Sequence, residues 1–326
     1  LPLLVVVFTP ATAAGTPPSV PVVVLLKERP TPEDVSLIVS NGGQITRTYT
    51  IINGFAAVLP EGRLAHIKSN PKVLSVDLDV AFRALDLSAD KQIRADQVWG
   101  TGYTGEGVPV AILDTGIDTL HPEFSGRILR CHSEITRTNT CEDQNGHGTH
   151  VAGIVGATGI VPQAKGVAPT VSYYIDQVLD SSASGKLSGV IAGINWAVSN
   201  GARVISMSLG TNPISTTQPN CDSAIPSLTK AVNNAVAAGI TVVAAAGNEG
   251  AQGVDAPACI SSSIAVGAVD NKDKIAYFSS QGGPMADHGV VAPGVNIWST
   301  YLSNRGSYAM DSGTSMATPH VSCLLY

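Results

Sequence analysis

Val108-Pro109-Val110-Ala111-Ile112-Leu113-Asp114 is a short apolar run that ends on an acid. Four more runs of the same kind follow it, at Val171 to Ile175, Val204 to Ser208, Thr241 to Ala245 and Ser263 to Val266. Runs of this length, rich in β-branched residues and without polar alternation, suit strands of a parallel sheet that is buried on both faces. Between them, His147 to Gly156, Gly189 to Asn200 and Ile225 to Ala238 carry apolar residues at helical spacing. Strands alternating with helices predict an α/β fold: a doubly wound, mainly parallel sheet with helices on both faces. Functional side chains in such a sheet stand at the C-terminal ends of strands, and Asp114 and Asn248 stand there.

The chain has 326 residues, 44% of them hydrophobic and 13% charged, enough for a large core and too long for one small domain. A net charge of -6 is the wrong sign for a nucleic-acid binder. Residues 1–8 are apolar but too few to span a membrane, and Ala11-Thr12-Ala13 has the small-residue pattern of a signal-peptidase site. Residues 1–21 therefore read as the remnant of a secretory signal, its start missing, plus a Pro-rich linker. That predicts a secreted, extracellular protein in which disulfides are permitted. Of the five cysteines, Cys131 and Cys141 bracket a polar turn before His147, and Cys221 and Cys259 flank the segment carrying Asn248. Two bridges can form and Cys323 is left over, but spacing alone does not fix the pairing.

Residues 22–85 have a different organisation. Strands at Val22 to Leu26, Gln44 to Ile51, Gly54 to Leu59 and Val73 to Val80 enclose helices at Thr31 to Ser40 and Arg63 to Asn70. This β-α-β-β-α-β order is the ferredoxin-like, split βαβ arrangement.

Ser312-Gly313-Thr314-Ser315-Met316-Ala317-Thr318-Pro319-His320 places a hydroxyl among small residues at the start of a helix. A serine is a poor nucleophile unless a base takes its proton and a carboxylate orients that base. Asn145-Gly146-His147-Gly148-Thr149-His150 offers the base, between two glycines that let the backbone approach a substrate, and Asp114 offers the carboxylate. The order Asp, His, Ser differs from that of chymotrypsin and of the α/β-hydrolases. On these three segments the chain resembles the subtilisin-like serine proteases, the subtilase family or peptidase S8, over roughly residues 22–326.

The resemblance implies a serine endopeptidase. Asp114, His147 and Ser315 would be its triad, and the Asn248 side chain with the Ser315 N–H its oxyanion hole. Ser208-Leu209-Gly210 and Ala245-Ala246-Gly247 would line the pocket for the residue before the scissile bond. Ala183-Ser184-Gly185 would pair with the substrate backbone as an added strand. Small lining residues predict broad specificity that favours large apolar side chains. Residues 22–85 resemble the inhibitory propeptide of subtilases, and residues 86–326 the catalytic domain, truncated at its C-terminus. Self-cleavage is expected between Phe82 and Leu87, at the Leu85–Asp86 bond. Catalysis needs no cofactor. The partners are protein or peptide substrates and the chain's own propeptide, with no nucleic acid and no membrane span, and the enzyme is expected to be a monomer.

Many subtilases hold a structural calcium ion between an acid near the Asp motif and a loop after the His helix. Glu123 could supply the acid, but Thr158-Gly159-Ile160-Val161-Pro162-Gln163-Ala164 contains no acid or Asn, so the loop does not support the site. Tyr173-Tyr174-Ile175-Asp176-Gln177-Val178 departs from the family, which has apolar and basic residues there. A zinc reading of His147, His150 and His121 lacks the H-E-x-x-H spacing, and His150 reads as structural. Two other functions compete. Asp114-Thr115-Gly116 and Asp311-Ser312-Gly313 look like the paired loops of an aspartic protease, a fold that is nearly all β. The other is a catalytically inactive subtilase-like binding scaffold.

Overall fold

The computed structural model describes residues 18–49, 52–79, 88–214 and 217–324, and the chain divides into two units, Leu1–Arg83 and Ala84–Tyr326. The signal-like residues 1–13 and the expected cleavage site at Leu85 and Asp86 lie outside the described residues.

In the first unit the order is β1 (Ser19–Leu26), α1 (Pro32–Ser40), β2 (Gln44–Thr48), β3 (Gly54–Pro60), α2 (Leu64–Lys68) and β4 (Val73–Leu78). The sheet order β2-β3-β1-β4 is antiparallel throughout, the ferredoxin-like arrangement expected from the sequence. Alternation in β1 turns Val22, Val24 and Leu26 onto a core with Ile38, Phe55, Leu59 and Ile67. Thr31 caps α1, its N–H and hydroxyl both donating to Asp34 Oδ2 at 2.9 and 2.7 Å. The second strand stops at Thr48, short of the expected stretch. Glu61–Arg63 is a 3-10 turn, so the second helix starts at Leu64 and is shorter than its apolar spacing suggested.

The second unit opens with α3 (Ser88–Gln92) and α4 (Ala95–Trp99), then β5 (Pro109–Asp114), β6 (Ile128–Ser133), α5 (His147–Gly156) and β7 (Ser172–Gln177). Next come α6 (Leu187–Ser199), β8 (Val204–Met207), α7 (Pro226–Ala237), β9 (Thr241–Ala245) and β10 (Ile264–Val269). It closes with α8 (Gly283–His288), β11 (Gly289–Pro293), β12 (Ile297–Thr300), β13 (Tyr308–Asp311) and α9 (Thr314–Cys323). Seven strands form one sheet in the order β11-β10-β9-β8-β5-β7-β6, every neighbouring pair parallel, and β12 and β13 form a separate antiparallel pair. This is the expected doubly wound fold. It excludes the aspartic-protease reading, which needs a nearly all-β chain.

The five apolar runs are the five inner strands. Each faces two layers: Ile112 packs with Val151 of α5 and Met316 of α9, whereas Ala111 and Leu113 pack with Ile194 of α6 and Val232 of α7. Each fully buried Ile or Leu contributes about 1.5–3 kcal/mol. The two edge strands, β6 and β11, escaped the reading of apolar runs. Arg130 and His132 break the pattern in β6, and Val290 and Val291 of β11 are exposed.

Candidate active site

Asp114 is the last residue of β5, and the strand delivers its side chain fully buried. Its Oδ1 accepts the Thr115 N–H at 2.7 Å and lies 2.8 Å from His147 Nδ1. His147 opens α5, its side chain 22% exposed. Burial works to lower the His147 pKa, but the charge and hydrogen bond of Asp114 outweigh it and push the imidazole up to about 8. With Nδ1 engaged, Nε2 is the nitrogen left for a reacting group.

Asp143, which sequence reasoning missed, builds the turn that holds this histidine. Its Oδ1 accepts from Thr115 Oγ1 at 3.0 Å and from the N–H groups of Asn145 and Gly146 at 2.9 Å. Its Oδ2 accepts from Thr149 N–H at 2.9 Å and Thr149 Oγ1 at 2.6 Å. The carboxylate thus satisfies a first-turn donor of α5 and ties the helix to Thr115, the neighbour of Asp114. An Asp four residues ahead of the histidine was the available signal. The flanking glycines also serve the packing of the chain itself. A Cβ on Gly148 would come within 2.2 Å of the Gly116 carbonyl, and one on Gly146, at φ 114°, within 2.3 Å of the Tyr301 ring. They permit close packing of the loop and helix.

Ser315 is the second residue of α9, where the N–H has no intrahelical partner. Ser208 Oγ donates to the Ser315 carbonyl at 2.8 Å, and Ser315 Oγ donates to the Ser208 carbonyl at 3.3 Å. No hydrogen bond joins Ser315 Oγ to His147 among the described residues. The exposed Asn248 accepts through Oδ1 from the Thr314 N–H at 2.9 Å and from Thr314 Oγ1 at 3.2 Å. This fixes the amide beside the start of α9 and leaves its NH₂ end free to donate.

A cavity of about 440 Å³ opens beside His147 and is walled by Ala183-Ser184-Gly185 and Ser208-Leu209-Gly210. Val190 of α6 and Leu228 of α7 also line it. The segment Ala245-Ala246-Gly247 is buried and does not line this cavity; Ala256 and Pro257 stand there instead. The Ala246 carbonyl accepts the N–H of Asp255, the residue before Ala256, at 3.0 Å.

Glu123 is fully buried, but its partners are all donors. They are Thr158 Oγ1 at 2.6 Å, the N–H groups of Gly159, Ile160 and Val161 at 2.8, 3.2 and 3.0 Å, and the Tyr308 hydroxyl at 3.0 Å. Burial alone would raise this carboxyl, yet those hydrogen bonds hold it below its ordinary value. A loop that turns N–H groups inward suits an anion, and the residues around Glu123 do not fit calcium. His150 Nε2 lies 3.1 Å from the carbonyls of Ile297 and Ala309, and His121 Nε2 2.9 Å from that of Ser307. Neither imidazole joins His147 in a metal cluster. Disulfides join Cys131 to Cys141 and Cys221 to Cys259, and Cys323 is free, its buried thiol pushed up by desolvation.

The model of the Peptidase_S8 subtilase family matches residues 105–325. The chain belongs to the subtilase family. As a subtilase it is a hydrolase, a serine endopeptidase of the subtilisin type. Subtilisin E of Bacillus subtilis (strain 168) is 41% identical over 294 residues, covering 87% of this chain and 72% of that one. The minor extracellular protease Epr of the same strain is 34% identical over 307 residues, 88% of this subtilase and 45% of Epr. Among solved structures, the crystal structure of a cold adapted subtilisin-like serine proteinase matches with a TM-score of 0.58 at 35% identity, covering 68% of this subtilase and 75% of that chain. Among the described residues, no helix is long and apolar enough to cross a membrane.

Proposed function

We propose that this subtilase is a secreted endopeptidase, made as a self-processed zymogen, that cuts peptide bonds with Asp114, His147 and Ser315. His147 Nε2 takes the Ser315 proton as Oγ attacks the carbonyl, then returns it to the leaving amine. Asp114 accepts from Nδ1, fixes the tautomer and stabilises the imidazolium. The oxyanion is held by the Asn248 amide and the Ser315 N–H, at the positive end of α9. The observation that carries this reading is the 2.8 Å contact between buried Asp114 and His147, beside a cavity whose wall, Ser208, is hydrogen-bonded to Ser315. Attack requires the Ser315 hydroxyl to turn from the Ser208 carbonyl toward His147. The triad needs no cofactor.

The cavity, with Leu209, Val190 and Leu228 in its lining, favours a large apolar residue before the scissile bond. The edge segment 183–185 would bind the substrate main chain as an added strand. Residues 22–85 serve as the inhibitory propeptide and 86–326 as the catalytic domain, cut at Leu85–Asp86. The ferredoxin-like fold of the first unit supports this, as does an alignment with Subtilisin E that covers more of the chain than the second unit alone can fill. Two disulfides and the similarity to an extracellular protease support secretion, and a monomer is the simplest active form.

The test is the intact mass of the full chain before and after a fluorophosphonate, beside Ser315→Ala. Loss of a segment ending near Leu85 and a single adduct, both absent from the variant, are expected. A folded chain that stays whole and unlabelled would make the protein a binding scaffold instead.

A further inference from the structure

A second cluster of ionisable side chains lies on the sheet face opposite the triad. Register pairs Leu113 with Asp176, one residue before Asp114, so Asp176 faces away from His147 and toward α6. In β6, His132 stands directly opposite Asp176, and Glu134 follows that strand. His132 Nδ1 lies 3.0 Å from Asp176 Oδ1 and 3.6 Å from Glu134 Oε1. One ligand atom from each of the three residues falls within 4.8 Å of the others.

An ion pair leaves this arrangement unfinished. One imidazole N–H faces two carboxylates and can make only one short bond. The Asp176 side chain is fully buried, yet its Oδ2 has no hydrogen-bond partner among the described residues. A buried carboxylate with an unmet oxygen costs free energy that a cation would offset.

The geometry suits an ion. Ligands at about 2.0–2.2 Å from a tetrahedral centre lie roughly 3.3–3.6 Å apart; the separations from His132 Nδ1, 3.0 and 3.6 Å, straddle that range, and one oxygen of each carboxylate lies within 4.8 Å of the other. One imidazole nitrogen and two carboxylate oxygens form the mixed donor set that first-row divalent metals accept. The His132 ring stacks on Trp196 of α6 with centroids 5.7 Å apart and planes 21° apart, which holds Nδ1 toward the carboxylates. Gly193 of α6 leaves room for the Asp176 carboxylate, since a Cβ there would come within 3.1 Å of Oδ2. Because β6 is the sheet edge, His132 and Glu134 remain 20% and 19% exposed, and an ion can enter from solvent while Asp176 closes the inner side.

We propose that His132, Glu134 and Asp176 form a binding site for a divalent first-row transition-metal ion, with Zn²⁺ as the reference ion and water completing its coordination. The site is structural, tying the edge strand β6 to β7.

The test is calorimetric titration of ZnCl₂ into the full chain carrying His147→Ala, which removes the competing triad imidazole and keeps the chain uncut. One saturable ion per chain is expected, with a rise in melting temperature. In that background, His132→Gln and Glu134→Gln should each weaken binding by more than the about 10–100-fold that loss of an outer-sphere partner costs. Melting curves without metal establish that both variants fold, and Glu134→Gln, at a partly exposed position, guards against a collapsed His132 variant. Co²⁺ should give the visible absorption of a tetrahedral N/O site, lost in His132→Gln. The proposal is overturned if no saturable binding occurs, or if either substitution leaves the affinity unchanged; the cluster would then be an ion pair only.

Discussion

At the scale of single residues, the site depends on which charge faces which. Asp114 raises the His147 pKa to about 8, and a general base works only when neutral. Activity should therefore climb as pH rises, with kcat/KM half-maximal near pH 8 and a plateau on the alkaline side. A profile already flat from the ordinary imidazole range, about 6.5, would show that Asp114 does not act on the base. On the proposed mechanism Asn248 would make a separable contribution, because its Oδ1 is fixed by Thr314 while its NH₂ end has no partner among the described residues. Asn248→Ala should lower kcat by about 10²–10³-fold, the range that holds for subtilisin, with KM little changed. A comparable rise in KM would mean that the amide binds ground-state substrate instead.

Among elements, the stability of the loops turns on buried carboxylates. Glu123 organises residues 158–161 through donors from four residues of that loop and ties them to Tyr308 at the start of β13. Glu123→Ala would remove the shared acceptor of three N–H groups and two hydroxyls and should cost about 3 kcal/mol, read as a lower midpoint in urea denaturation. Because the folded-state pKa of Glu123 is lowered, its contribution is full above the unfolded value of 4.5 and is lost as pH falls through the lowered one. An unchanged midpoint would mean that the loop holds its shape without the carboxylate. Asp143 does the same work ahead of α5. Neither role could be read from the chain, because the donors on each acid come from residues chosen by the fold.

For the whole molecule, the two units differ in how much they bury. The four-stranded unit has one small core around Ile38, Phe55 and Leu59, whereas the seven-stranded sheet is covered on both faces. A domain of such small size buries a lower fraction of its surface and is marginal. In the Ser315→Ala chain, amide exchange across β1 to β4 should therefore outrun exchange in β5 and β7 to β10. Equal protection in both units would show that they unfold as one.

The sequence by itself determined the inner sheet, the ferredoxin-like first unit and the Asp, His, Ser order, because each is written in local patterns. Strands buried on both faces must be continuously apolar, and a triad residue must stand at a strand end or a helix start. The edge strands β6 and β11 were hidden, since a half-buried strand tolerates Arg130, His132 or exposed valines. Only the tertiary structure brought Ala256 and Pro257 to the lining of the cavity. The same holds for Asp143 holding the His147 turn and for Glu123 facing N–H groups in place of a cation. It also brought His132 of β6 and Glu134 just after it together with Asp176 of β7, far apart in the chain. Those are relations between distant segments, and long-range register, not local periodicity, is the physical quantity that sets them.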